Sequence, residues 1–161
     1  MKQATHLIPD LALSFEVSFT GCREKVADTV ERVMSLVQTL PCAQGRLEQL
    51  HLALMEALTN AVIHGNREDP AKVVTVCAGC NRRAELLVWV TDQGEGFDPS
   101  ALPDPTVAGN MHEGHGRGVF LMRRLVDEVE FNLGGRQVML RKRMARENAR
   151  EHVTFLPRRR D

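Results

Sequence analysis

Charge of one sign is missing from this chain: 21 basic residues balance 21 acidic ones, a formal net charge of +0 over 161 residues. Without a global field, neither direct nucleic-acid binding nor attachment to a membrane surface is expected. Long hydrophobic runs are missing too. None approaches the roughly 20 residues that span a bilayer, and the early pair Leu7-Ile8 is cut short by Pro9-Asp10, too soon for a signal-peptide core. A cytoplasmic protein is expected. A Gly-x-x-x-x-Gly-Lys-Ser/Thr loop occurs nowhere, which excludes P-loop phosphate binding, and no internal repeat is visible. Cysteine is sparse, with 4 residues and one close pair, Cys77-Ala78-Gly79-Cys80. A structural zinc site needs four ligands, and neither Cys22 nor Cys42 forms a second such pair. All four are expected as reduced thiols, with Cys77 and Cys80 at a strand end and turn.

What remains is the composition of a soluble globular domain, 43% hydrophobic and 26% charged. One domain over residues 1–143 is expected, followed by a basic tail, 144–161, that ends in Arg158-Arg159-Arg160. Leu13 to Phe19 alternates with period two, as a half-buried strand does. Val26, Val30, Val33, Val37 and Leu40 follow helical spacing up to Pro41; Leu47, Leu50, Leu54, Leu58 and Ala61 mark a second helix that stops near Gly65. Lys72 to Ala78 and Glu85 to Thr91 read as strands joined by the turn residues Gly79 to Arg83. Asp92 to Gly118 has no sustained period and is expected as a long functional loop. A helix over Val119 to Val126 and strands over Glu128 to Leu133 and Gln137 to Lys142 complete the chain. This order predicts an α+β two-layer sandwich, its mixed, mostly antiparallel sheet covered by helices on one face.

Three stretches carry chemistry. On the second helix Glu56 and Asn60 lie about 40° apart, almost opposite the leucine stripe, bordered by Ala53, Ala57 and His64. An acid and an amide with small neighbours leave room for a ligand. Asp92-Gln93-Gly94-Glu95-Gly96-Phe97 delivers an acid from a strand end into a glycine turn, where the carboxylate can accept from an exocyclic amine and the backbone can approach a flat ring. Gly114-His115-Gly116-Arg117-Gly118 precedes a helix start, and its amides together with the helix dipole suit a phosphate. His112 and His115 are expected as loop residues rather than metal ligands.

In this order the three resemble the N, G1 and G2 boxes of the GHKL ATPase superfamily, and Asn60-Ala61-Val62-Ile63-His64-Gly65 resembles the anti-sigma-factor serine kinases of bacterial partner-switching systems. The resemblance covers about Leu13 to Arg143 and implies the Bergerat fold of histidine-kinase-like ATPases. It also implies an ATP site contributed by Asn60, His64, Gly65, Asp92, Gly94, Gly96, Phe97, Gly114, His115, Gly116, Arg117 and Gly118. Within it, Asp92 meets the adenine amine, Asn60 is the protein ligand of Mg²⁺, and Glu56 is the base for an attacking serine or threonine hydroxyl. The implied partners are a STAS-domain antagonist protein, a sigma factor and a second copy of the chain. The alternative reading is a non-catalytic ATP-binding module that sequesters a sigma factor or another regulator. Glu56 favours the kinase, because binding alone does not need an acid there.

Overall fold

The computed structural model describes residues 11–43, 45, 47–101 and 114–143. Strand β1 (Leu11–Thr20) leads into α1 (Val26–Val37) and α2 (Glu48–Asn60); β2 (Val73–Asn81) and β3 (Glu85–Thr91) form a hairpin, and α3 (Gly114–Leu125) precedes β4 (Glu128–Asn132) and β5 (Gln137–Arg143). The five strands pair in the order β1-β2-β3-β5-β4. Every pairing is antiparallel, so the sheet is simpler than the mixed one expected.

Alternation along each strand sorts side chains onto two faces. Across one face runs the row Val17, Val76, Val90, Val138 and Phe131, and beside it Phe15, Ala78, Val88, Leu140 and Val129. The helices cover this face. From α1 come Val26, Val30, Val33, Met34 and Val37, and from α2 Leu50, Leu54 and Leu58, all buried. Neither helix has a side-chain N-cap, so their stability rests on this packing. Truncating any of the three α2 leucines to alanine would cost about 2–5 kcal/mol. Ala53 and Ala57, expected to border an open polar face, are buried instead, because α3 packs against that side of α2.

Three expectations need correction. β2 continues through Gly79 and Cys80 to Asn81, because it pairs with β3 as far as Cys80 and with β1 as far as Asn81, and the turn falls on Arg82 to Ala84. The cysteines are not all thiols: Cys42, after α1, is joined to Cys80 by a disulfide across a sequence separation of 38. Strand alternation turns Cys80 towards the helices and Cys77 to the opposite face, so these two do not act as a pair. Finally α3 begins at Gly114, inside the glycine stretch expected as loop. The tail 144–161 and residues 102–113 of the expected loop lie outside the described residues.

Candidate functional site

The site begins where α2 ends. Residues Ala61–Gly65 form a π-turn, and the Asn66 amide donates to the Ala61 carbonyl at 2.8 Å. Such an inserted residue re-aims the side chains that follow it. Asn66, fully buried, thereby becomes a three-way brace. Its Nδ2 donates to the Val73 carbonyl at 3.2 Å, and its Oδ1 accepts the Gln93 amide at 2.8 Å. Gln93 Oε1 in turn accepts the Val73 amide at 2.8 Å. The end of α2, the start of β2 and the exit of β3 are thus fixed to one another.

That bracing places Asp92 directly against Gly65. A Cβ at Gly65 would run into the Asp92 carboxylate, which is the physical reason for glycine there. Asp92 Oδ1 accepts the Gly94 amide at 2.7 Å, and the Asp92 amide donates to the Arg136 carbonyl at 2.9 Å. The turn continues through Gly96, whose φ of +80 suits glycine and whose α-carbon lies against the Gly134 carbonyl. Phe97 N–H donates to that same carbonyl at 3.0 Å, and its ring meets Phe131 edge to face at 5.3 Å. Burial pushes the Asp92 carboxyl above its ordinary value. The Gly94 amide, Arg136 and Lys72 oppose this shift by favouring the charged form.

A cavity of about 200 Å³ opens between α2, α3 and the sheet. Of the residues expected in the site, Asn60, His64, Gly65, Asp92, Gly96 and Phe97 line it. The apolar remainder of the wall comes from Ala57, Ala61, Val90, Val119, Met122 and Val138. Gly94 stands behind the wall, against the Gly65 carbonyl. Glu56 is not on the cavity wall. Its carboxylate lies at one end, 3.0 Å from where a Gly118 Cβ would stand, and the Asn60 amide lies 3.2 Å from the same point. Thus α3 rests on Glu56 and Asn60 through a residue with no side chain. Arg117 is exposed on α3 and does not reach the cavity wall. Gly114 and Gly116 belong to the first turn of α3, and the His115 side chain lies outside the described residues.

The motif reading missed Asn66, Gly135 and Arg136. Asn66 directly follows His64-Gly65, and a polar residue at a helix exit was a signal for a brace. Gly134-Gly135 read only as a strand connection, yet this turn closes the cavity behind Phe97, and Arg136 stands on the wall beside Asp92. Among the described residues there is no cluster of three or more His, Cys, Asp or Glu side chains able to hold a metal on its own. No described helix is long and apolar enough to cross a membrane.

The sequence profile of the histidine kinase-like ATPase domain matches residues 20–142, which include every element just described except most of β1 and the last residue of β5. An anti-sigma F factor of Heyndrickxia coagulans is 28% identical over 140 residues, covering 83% of this chain and 95% of the relative. One from Clostridium acetobutylicum is 30% identical over 135 residues, covering 81% and 93%. The serine-protein kinase RsbW of Bacillus licheniformis is 35% identical over 118 residues, covering 67% and 71%.

Proposed function

Because this chain belongs to the histidine kinase-like ATPase domain family, we propose that its cavity takes ATP and that the chain transfers the γ-phosphate to a serine or threonine of a STAS-domain antagonist protein. The relatives bear the names anti-sigma F factor and serine-protein kinase, so the chain is read as a partner-switching regulator that holds a sigma factor in one state and phosphorylates the antagonist in the other. Homodimerisation belongs to the same reading.

The observation that carries it is the division of the site into two ends. At one end Asp92 faces a mostly apolar slot that suits a flat base with an exocyclic amine. At the other, Glu56 and Asn60 converge under Gly118, near the start of α3, and a helix start favours phosphate. Phosphoryl transfer is mostly positioning and charge stabilisation. The serine Oγ attacks the γ-phosphorus, the bond from that phosphorus to the β-bridging oxygen breaks, ADP leaves, and the hydroxyl proton passes to a Glu56 carboxylate oxygen. The Asn60 amide oxygen suits Mg²⁺, an ion that keeps most of its water and takes few protein ligands beside substrate phosphates. When bound, the ion neutralises charge on the β- and γ-phosphates. His64 and Phe97 line the slot, and on this reading Arg117, exposed on α3 and off the cavity wall, reaches the phosphates only through a change in side-chain position.

The test is incubation of the purified chain with γ-labelled ATP, magnesium and a STAS-domain protein from the same genome. Label on a serine or threonine of the partner is the expected result. Tight ATP binding with no transfer identifies the chain as a binding module that uses nucleotide as a structural ligand.

A further inference from the structure

Asp92 and Arg136 are the only carboxylate and the only guanidinium or ammonium on the described cavity wall. They arrive from different strands and are held back to back, the Asp92 amide on the Arg136 carbonyl at 2.9 Å. The Arg136 side chain is also anchored. Its Nε donates to the Leu133 carbonyl at 3.1 Å, and its Cγ lies 3.2 Å from where a Gly96 Cβ would stand. With Nε occupied, the two terminal amino groups have no protein acceptor among the described residues. An acceptor and a charged donor therefore share a slot whose other walls are mostly apolar, among them Val90, Val119, Met122 and Val138.

Such a pair recognises a heterocycle edge that offers an N–H donor next to a ring nitrogen lone pair, the arrangement of an aminopurine amine flanked by N1 and N7. We propose that Arg136 is a second base-reading residue, donating from its terminal amino groups to a ring nitrogen beside the amine that Asp92 accepts. The inference rests on the ATP reading above and names what selects the base. The same guanidinium acts on Asp92 together with Lys72 and the Gly94 amide, in a cavity that His64 also lines, so it also helps keep the acid charged in a half-buried setting.

The test compares ATP, 1-deaza-ATP and 7-deaza-ATP binding to the full chain by calorimetry, in wild type, Arg136→Ala and Arg136→Lys. Each substitution leaves the Arg136 carbonyl in place, and near-ultraviolet circular dichroism checks the fold. A hydrogen bond to a charged group corresponds to about ten-fold or more in affinity. Wild type is expected to lose about that factor for one of the two analogues. Arg136→Ala is expected to bind ATP about ten-fold more weakly and no longer to distinguish ATP from that analogue, while Arg136→Lys retains part of the discrimination. Equal weakening of all three nucleotides by Arg136→Ala, or unchanged ATP affinity, overturns the inference while leaving the ATP reading intact. A wild-type chain that binds no ATP overturns both.

Discussion

The two ends of the cavity are built on opposite plans. Around Asp92, main-chain and side-chain groups are already bonded to one another: Gly94 to Asp92, Gln93 to Asn66, Phe97 to Gly134, Asp92 to Arg136. Around Glu56 and Asn60 the half-buried polar side chains have no hydrogen-bond partner among the described residues, and α3 approaches them only through Gly118. Leaving such groups unpaired costs stability. The Asp92 end is therefore a finished mould, and the Glu56 end is a set of polar groups without protein partners among the described residues. Substitutions that break the bonded network at the first end should change both stability and binding, whereas substitutions at the second should change binding or chemistry and leave the fold intact.

The largest structural effect is expected from outside both ends. Cys42 and Cys80 close a long loop beside the β2–β3 turn, at the end of β2 away from Val73 and the Asn66 brace. Cys42→Ser should lower stability by about 3 kcal/mol in thermal or denaturant unfolding, with nucleotide affinity unchanged; a change in affinity would mean that this region communicates with the cavity. Asn66→Ala comes next. It strands the part-buried Val73 carbonyl and Gln93 amide and should cost about 2 kcal/mol, with weaker nucleotide binding because the brace behind Asp92 is lost.

Asp92→Asn separates stability from binding. The folded-state pKa of Asp92 is raised, so ionising it costs folding free energy. Wild-type stability from this group falls as pH rises from the ordinary aspartate range through the raised value, and binding that needs the carboxylate appears over that same rise. Asn cannot ionise. The variant should melt slightly higher at pH 7, lose that pH dependence and bind ATP about ten-fold or more weakly. An unchanged melting profile from pH 4 to 7 would remove the burial argument. The smallest effect belongs to Asn60→Ala, which should leave melting almost unchanged and reduce nucleotide affinity only when magnesium is present. Equal losses with and without magnesium would assign Asn60 to the nucleotide itself.

The unequal legibility of the two plans in the sequence follows from range. Glu56 and Asn60 share one helix, and the leucine stripe that orients them repeats every turn, so local periodicity was enough to set them together. Asp92-Gln93-Gly94-Glu95-Gly96 was readable for the same reason: a buried strand running straight into glycines. The expected placement of Ala53 and Ala57 failed because a helix wheel shows where side chains point and not what comes to cover them; α3 covers them. The start of α3 was misjudged because glycine's low helix propensity is a weak prior that tertiary packing overrides. Asn66 depends on a π-turn, the disulfide on a pairing across 38 positions, and Arg136 on a hairpin turn folding back over Phe97. None of these is encoded in a short window. The glycines of the Asp92 turn were legible as glycines, but their purpose, contact with Gly65 and Gly134, was visible only once distant segments met.

On the proposed reading Glu56 serves the transfer step and not the binding of ATP. It is tested most directly by measuring ATP affinity and single-turnover phosphate transfer to the STAS-domain partner in wild type and Glu56→Ala. Glu56→Ala is expected to keep an ATP affinity within about three-fold of wild type and to lose transfer by about 10²- to 10⁴-fold, the range for a removed general base. Transfer at the wild-type rate, or a fall in affinity as large as the fall in transfer, would contradict it.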